Sequence, residues 1–220
     1  MRAWIIGNGP SLTQTPLPML TNEATFACNR IHLIYPKTSW RPMYWVLADR
    51  SKAPFYVDDI LIHVKAGEDC WVRQDFYDDM VAQKGQQFDS VHLYPNCDHI
   101  DADRNPSTAW HPPAFCIFGG SVLAAIQIAI SKGYDDLLVV GCDLGYKGNA
   151  VNHFDPNYMP VDNRKVQQAI LANRTLKMAH ELAYAECKKL GVRIRNAGFG
   201  GELTAYPRVD FGEALKATTA

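Results

Sequence analysis

Residues 2–12, Arg-Ala-Trp-Ile-Ile-Gly-Asn-Gly-Pro-Ser-Leu, constrain this chain more than any other stretch. Ala3–Ile6 is too short for a helix and has the residue types of a buried strand. Gly7 and Gly9 then allow a tight turn and the close approach of another group to the backbone. A strand that breaks into a glycine turn at the start of an α/β chain delivers its loop to the carboxyl edge of a sheet, where ligands bind in open α/β folds. The turn is neither G-x-G-x-x-G nor a Walker A loop: it lacks a third glycine and a Gly-Lys-Ser/Thr, and Pro10 removes a backbone donor. Left as a polar floor are the Gly9 and Ser11 amides, the Asn8 side chain and the Ser11 hydroxyl, which suit a phosphate or a ribose. The competing reading is an ordinary strand-to-helix turn with Ser11 as a helix cap.

The same pattern recurs along the chain. Ala24–Cys28 reads as a strand ending in Asn29-Arg30, and Met43–Ala48 as one ending in Asp49-Arg50. Further strands are predicted at Ile60–Val64, Ser90–Tyr94, Asp136–Gly141 and Val192–Asn196, with an amphipathic stretch around Arg73–Val81. Gly120 and Ser121 open an almost wholly apolar helix that stops at Gly133; Ser121 reads as its cap and its amino end as an anion site. A second, amphipathic helix covers roughly 164–190. The Gly198–Gly201 turn and the tail beyond it read as peripheral. This alternation predicts residues 1–220 to be a single nucleotide-binding α/β domain: Rossmann-like, doubly wound, with a mostly parallel sheet and helices on both faces. The polar stretches at about 95–118 and 147–163 read as lid-like loops.

Composition narrows the function classes. A net charge of −1 provides no basic field for nucleic acid. No apolar run approaches the ~20 residues of a membrane helix, and the first strand occupies the place of a secretory signal. The six cysteines form no Cys-x-x-Cys pair, so they read as reduced thiols of a cytoplasmic protein, at most peripheral to the inner membrane. No metal site has a recognised spacing; His99 and His111 share a loop with Asp98, Asp101 and Asp103 without one.

Several motifs taken in order, Gly7–Leu12, Phe26–Arg30, Gly120–Val122 with Gly133-Tyr134, and Val140–Asp143, resemble the bacterial sialyltransferases of glycosyltransferase family 42 and the related DUF115 proteins. The resemblance runs from Arg2 to about Tyr158 and is poorest at 55–115. It implies a GT-A-like domain with a lid that binds a nucleotide sugar such as CMP-sialic acid, requires no metal or other cofactor, and transfers the sugar to a glycan or small-molecule acceptor. It implies nucleotide or phosphate contacts at Asn8, Ser11, Asn29, Asp49, Ser121 and Tyr146. Beside these, the strand-end pattern adds Gly7, Gly9, Arg30, Gly120 and Asp143, the last in a structural or ribose-contacting role.

The family's general base is a His leading into the last long helix, where this chain has Asn173-Arg174. His153 replaces it in this reading, with Asp155 as the carboxylate that orients it. His63, His92 and His180 lie on strand or helix patterns and read as packing residues. Two other readings stand beside sugar transfer: an ATP- and magnesium-dependent pterin diphosphokinase, as some DUF115 relatives are, and a non-catalytic nucleotide- or sugar-binding protein. Association into a homo-oligomer is left open by the sequence.

Overall fold

A computed structural model describes residues 1–48, 56–95, 120–146, 152–158 and 166–217. In chain order the strands and α-helices are β1 (Arg2–Ile6), β2 (Thr25–Cys28), β3 (Tyr44–Leu47), α1 (Tyr56–Lys65), β4 (Asp69–Arg73), α2 (Gln74–Lys84), β5 (Val91–Tyr94), α3 (Ser121–Ser131), β6 (Asp136–Val140), α4 (Val166–Lys189), β7 (Arg193–Asn196) and α5 (Phe211–Lys216). Short 3₁₀ helices at Pro10–Gln14, Leu17–Leu20 and Ile31–Lys37 connect the first three strands.

The seven strands form one parallel sheet in the order β5-β4-β3-β2-β1-β6-β7. The chain runs outward from β1 to β5, then crosses back so that β6 pairs with the other side of β1, Ile6 lying opposite both Ala27 and Val140. The strand order therefore reverses between β1 and β6, where an α/β sheet opens a crevice at its carboxyl edge. Both faces are covered, which is why the central strands are apolar throughout rather than alternating. Ala3, Ile5, Phe26 and Val139 pack under α3 and α4, against Ala124, Ile128, Ala179 and Ala183. Trp4, Ile6, Ala27 and Trp45 point the other way, into a layer built from the 3₁₀ segments, α1, α2 and α5.

Three expectations need correction. Ile60–Val64 is not a strand but the body of α1, which opens with Asp58 and Asp59 in its first turn and buries Ile60 and His63 on one side. A five-residue apolar run carries no period of its own, and the flanking residues extend it to helical length. The strand in this part of the chain is instead β4, Asp-Cys-Trp-Val-Arg, which the sequence reading did not predict because its charged ends disguise the buried Cys70 and Val72. Ser121 is not a cap: Gly120 occupies that place and no side chain caps the helix. The tail is not peripheral. Leu203 and Tyr206 are buried, the Asn196 amide donates to the Pro207 carbonyl at 2.8 Å, and Phe211 packs on Trp4 with ring centroids 5.0 Å apart. Asp210 caps α5 by accepting from the Glu213 amide, and Arg2 donates to the carbonyls of Ala214, Leu215 and Ala217 at its far end.

Asp49 and most of both expected lid loops lie outside the described residues; Pro95 and 152–158 are the parts of those loops that are described. No described helix is long and apolar enough to cross a membrane. Cys28, Cys70, Cys142 and Cys187 carry free thiols.

Candidate functional site

The glycine turn after β1 is packed against the turn after β6. The Gly7 amide donates to the Val140 carbonyl at 2.8 Å and the Gly9 amide to the Gly141 carbonyl at 2.7 Å. A Cβ at Gly7 would collide with the Gly141 carbonyl, and one at Gly9 would lie 2.5 Å from an Asp143 carboxylate oxygen. The Ser11 amide donates to Asp143 Oδ2 at 2.7 Å and the Ser11 hydroxyl to Oδ1. The expected polar floor is thus corrected. The Gly9 and Ser11 donors are consumed within the protein, the glycines serve loop-to-loop contact, and Ser11 caps no helix. Asp143 joins the two turns, and its own carbonyl accepts from the Glu202 amide at 2.6 Å.

Beside this seam the ends of β1, β2 and β6, the start of α3 and the 152–158 segment line one cleft. Asn8, Asn29, Ser121, Tyr146, His153 and Tyr158 all face it. Asn8 Nδ2 donates to the Cys28 carbonyl at 2.8 Å and to Tyr158 Oη at 3.1 Å, which fixes the orientation of the amide. Asn29 sits at φ +49°, a left-handed conformation that asparagine tolerates better than most residues. Its Nδ2 donates to Ser121 Oγ at 2.8 Å, its Oδ1 accepts from the Ala48 amide at 3.3 Å, and its carbonyl accepts from Trp45 Nε1 at 2.6 Å. Ser121 Oγ acts as an acceptor there, so its hydroxyl proton is directed elsewhere. Behind Asn29, Trp45 stacks on His63, whose Nδ1 lies 2.6 Å from Glu68 Oε2. Burial lowers the pKa of His63.

The 152–158 segment is tied down at several points. The Phe154 amide donates to the Asn8 carbonyl at 3.0 Å, and Arg30 donates to the carbonyls of Asn157 and Tyr158 at 3.1 and 2.9 Å. Arg30, expected to meet a phosphate, therefore grips this loop. The His153 ring stacks on Tyr158 at 3.9 Å and meets Tyr146 edge-on at 6.3 Å. Asp155 does not orient His153. Its carboxylate accepts from the Asn157 amide at 2.9 Å and from Lys37 Nζ at 3.3 Å, and the Asn157 amide, with Lys37, holds it below the usual carboxylate range. Asp155-Pro156-Asn157 is an Asx-type turn, a signal present in the sequence.

Sequence reading missed Tyr158, Cys142 and the role of His180. Cys142 and His180 line the cleft together, Sγ to Nε2 at 3.6 Å, with His180 Nδ1 2.7 Å from Tyr206 Oη. Burial lowers the His180 pKa to about 4 and raises that of Cys142 to about 12, so this side of the cleft is uncharged near neutral pH. Leu176, Ala179, His180, Ala183 and Cys187 are the buried stripe of α4, and that spacing was the available signal. Asp143 is the one carboxylate among the described lining residues, and both its oxygens face Ser11. Among the described residues no three His, Cys, Asp or Glu side chains converge as metal ligands.

The sequence matches no protein-family model and no curated protein. By fold it resembles solved glycosyltransferases. The MAf glycosyltransferase from Magnetospirillum magneticum AMB-1 matches with a TM-score of 0.57 and 16% identity over 95% of this chain and 33% of that one. This chain thus spans about a third of that structure's length. The sialyltransferase CstII from Campylobacter jejuni, solved with the substrate analogue CMP-3FNeuAc, matches with a TM-score of 0.46 and 16% identity over 95% of this chain and 85% of the other. The likeness is one of fold: an α/β, Rossmann-like sheet shared with a glycosyltransferase.

Proposed function

We propose that this chain is a glycosyltransferase that takes a nucleotide-sugar donor of the CMP-sialic acid kind and transfers its sugar to an acceptor hydroxyl on a glycan or small molecule. The observation that carries this reading is the convergence of Asn8, Asn29, Ser121 and Tyr146, from four separate segments, on one cleft at the reversal point of the sheet. The ordered motif resemblance supports the choice of donor.

In this mechanism the acceptor oxygen attacks the anomeric carbon as the bond from that carbon to the nucleotide phosphate breaks. The electron pair leaves on the phosphate oxygen, where the Ser121 hydroxyl, the Tyr146 phenol and the amino end of α3 meet the developing charge. His153 takes the acceptor's proton; it lies on a loop at the carboxyl edge, and Tyr158 holds its ring plane by stacking. No metal has a part in this scheme.

A thermal-shift panel of nucleotides and nucleotide sugars, run with magnesium and with EDTA, tests the reading. CMP and CMP-sugars are expected to raise the unfolding temperature equally in both buffers. Stabilisation by ATP alone, and only with magnesium, would overturn it in favour of pyrophosphoryl transfer.

A further inference from the structure

The loop that carries Tyr146 is held from α4 by a side chain to which the sequence drew attention only as a missing histidine. Asn173 is half-buried. Its Oδ1 accepts the Tyr146 amide proton at 2.7 Å, and its Nδ2 donates to the Tyr146 carbonyl at 2.8 Å. One side-chain amide satisfies both backbone groups of a single residue, the exchange that a neighbouring antiparallel strand would otherwise supply. Both bonds are short and involve the same backbone unit, so the peptide planes on either side of the Tyr146 Cα are held together.

The loop needs such a hold. Between β6 and Tyr146 the backbone takes a positive φ at Gly141 (63°), Leu144 (54°) and Gly145 (68°), and Leu144 is a residue type that rarely adopts that conformation. Its near end is fixed by the Ser11 bonds to Asp143 and by the Glu202 amide on the Asp143 carbonyl. At the Tyr146 end the Asn173 amide provides the corresponding anchor. A backbone so fixed places the Tyr146 ring on the cleft wall, edge-on to His153, which itself stacks on Tyr158.

We infer that Asn173 is a positioning residue: it acts through Tyr146 and, by way of the ring contact, sets the pose of His153. The use of that pose rests on the glycosyl-transfer reading; the clamp itself does not. The chemistry is specific to asparagine. An aspartate would accept the amide proton but turn an oxygen toward the Tyr146 carbonyl, glutamine is one methylene too long, and leucine has the size with neither polar group.

The test uses the full chain with Asn173→Leu, Asn173→Asp, Tyr146→Phe and the double variant Asn173→Leu/Tyr146→Phe. Two readouts need no ligand: hydrogen exchange at the Tyr146 amide and the His153 ring-proton resonances. Asn173→Leu is expected to speed that exchange at least tenfold and to shift the His153 resonances. Asn173→Asp, which keeps the amide acceptor, should retain most of the protection, and it serves if the leucine variant does not fold. The third readout is calorimetric affinity for CMP. Asn173→Leu and Tyr146→Phe should each weaken binding about tenfold, with the double variant no weaker than the worse single one. Unchanged exchange and unchanged His153 resonances would overturn the inference, and so would CMP losses that multiply in full. Failure of the parent to bind CMP would instead sink the donor assignment, leaving the two ligand-free readouts to decide on the clamp.

Discussion

Asp143→Ala separates a joint in the fold from a contact to a ligand. The Asp143 carboxylate accepts both the amide and the hydroxyl of Ser11, which is 5% exposed, and these bonds join the turns after β1 and β6. Removing the carboxylate strands a buried N–H and a buried O–H, each costing about 1–3 kcal/mol. Water entering from the cleft recovers part of that, so a loss of about 2–4 kcal/mol is expected. For a chain of this size, at ~2–4 °C per kcal/mol, the unfolding midpoint falls by roughly 4–16 °C. Asp143→Asn should cost less than alanine, about 1–2 kcal/mol: its Oδ1 can still accept the Ser11 amide and its Nδ2 can donate to Ser11 Oγ, while the Ser11 hydroxyl proton loses its acceptor and charge assistance is lost. Urea titration with an unchanged m-value measures both. An alanine variant within about 0.5 kcal/mol of the parent, or an asparagine variant as damaged as alanine, would refute the argument. Preserved stability with weakened CMP binding would make Asp143 a ligand contact instead.

Three further outcomes follow from the geometry. Gly7→Ala should destabilise by about 2 kcal/mol or more by urea titration, since its Cβ meets the Gly141 backbone, whose carbonyl carbon would lie 2.9 Å away. Asp136 is partly desolvated, which raises its pKa, but bonds from Arg193 at 3.0 and 2.8 Å and from Arg195 at 2.7 Å outweigh this and lower it. A depressed carboxyl contributes stability above its unfolded pKa and loses it as pH falls through the folded one, so the deficit of Asp136→Asn at pH 7 should shrink below about pH 4. His180 behaves oppositely to a paired histidine: burial lowers its pKa to about 4, so the unfolded chain takes up the proton first and stability falls as pH drops from about 6.5 toward 4. Stability measured across that range should lose about one proton's worth of slope in His180→Phe, the remainder coming from His32, which burial lowers to about 3, and from His63, which burial also lowers.

The sheet was legible where burial on both faces leaves an uninterrupted apolar run, as in Ala3–Ile6, Phe26–Cys28 and Leu137–Val140. Legibility failed where the signal was mixed. Asp69–Arg73 carries charged ends, and Ile60–Val64 is too short to show its period without the acidic turn before it. The cleft was legible as a list of strand ends, and Asn8, Asn29, Ser121 and Tyr146 do meet there. The assignment of donors was not. Ser11 bonds to a residue 132 positions away, and nothing local announces that its amide is already taken. Asn173 is likewise invisible from sequence, because its partner is the backbone of Tyr146 and backbone groups leave no trace in composition. The Asp155-Pro156-Asn157 turn was readable from its residues, and it explains why Asp155 serves its own loop.

The most direct test of the central claim is a titration of the isotopically labelled chain with CMP in EDTA, following backbone and side-chain amide resonances. The account predicts that the largest saturable shifts fall together on Asn8, Asn29, Ser121 and Tyr146, and that Ser121→Ala weakens the affinity about tenfold. Shifts dispersed over other surfaces, or none at millimolar CMP, would contradict it.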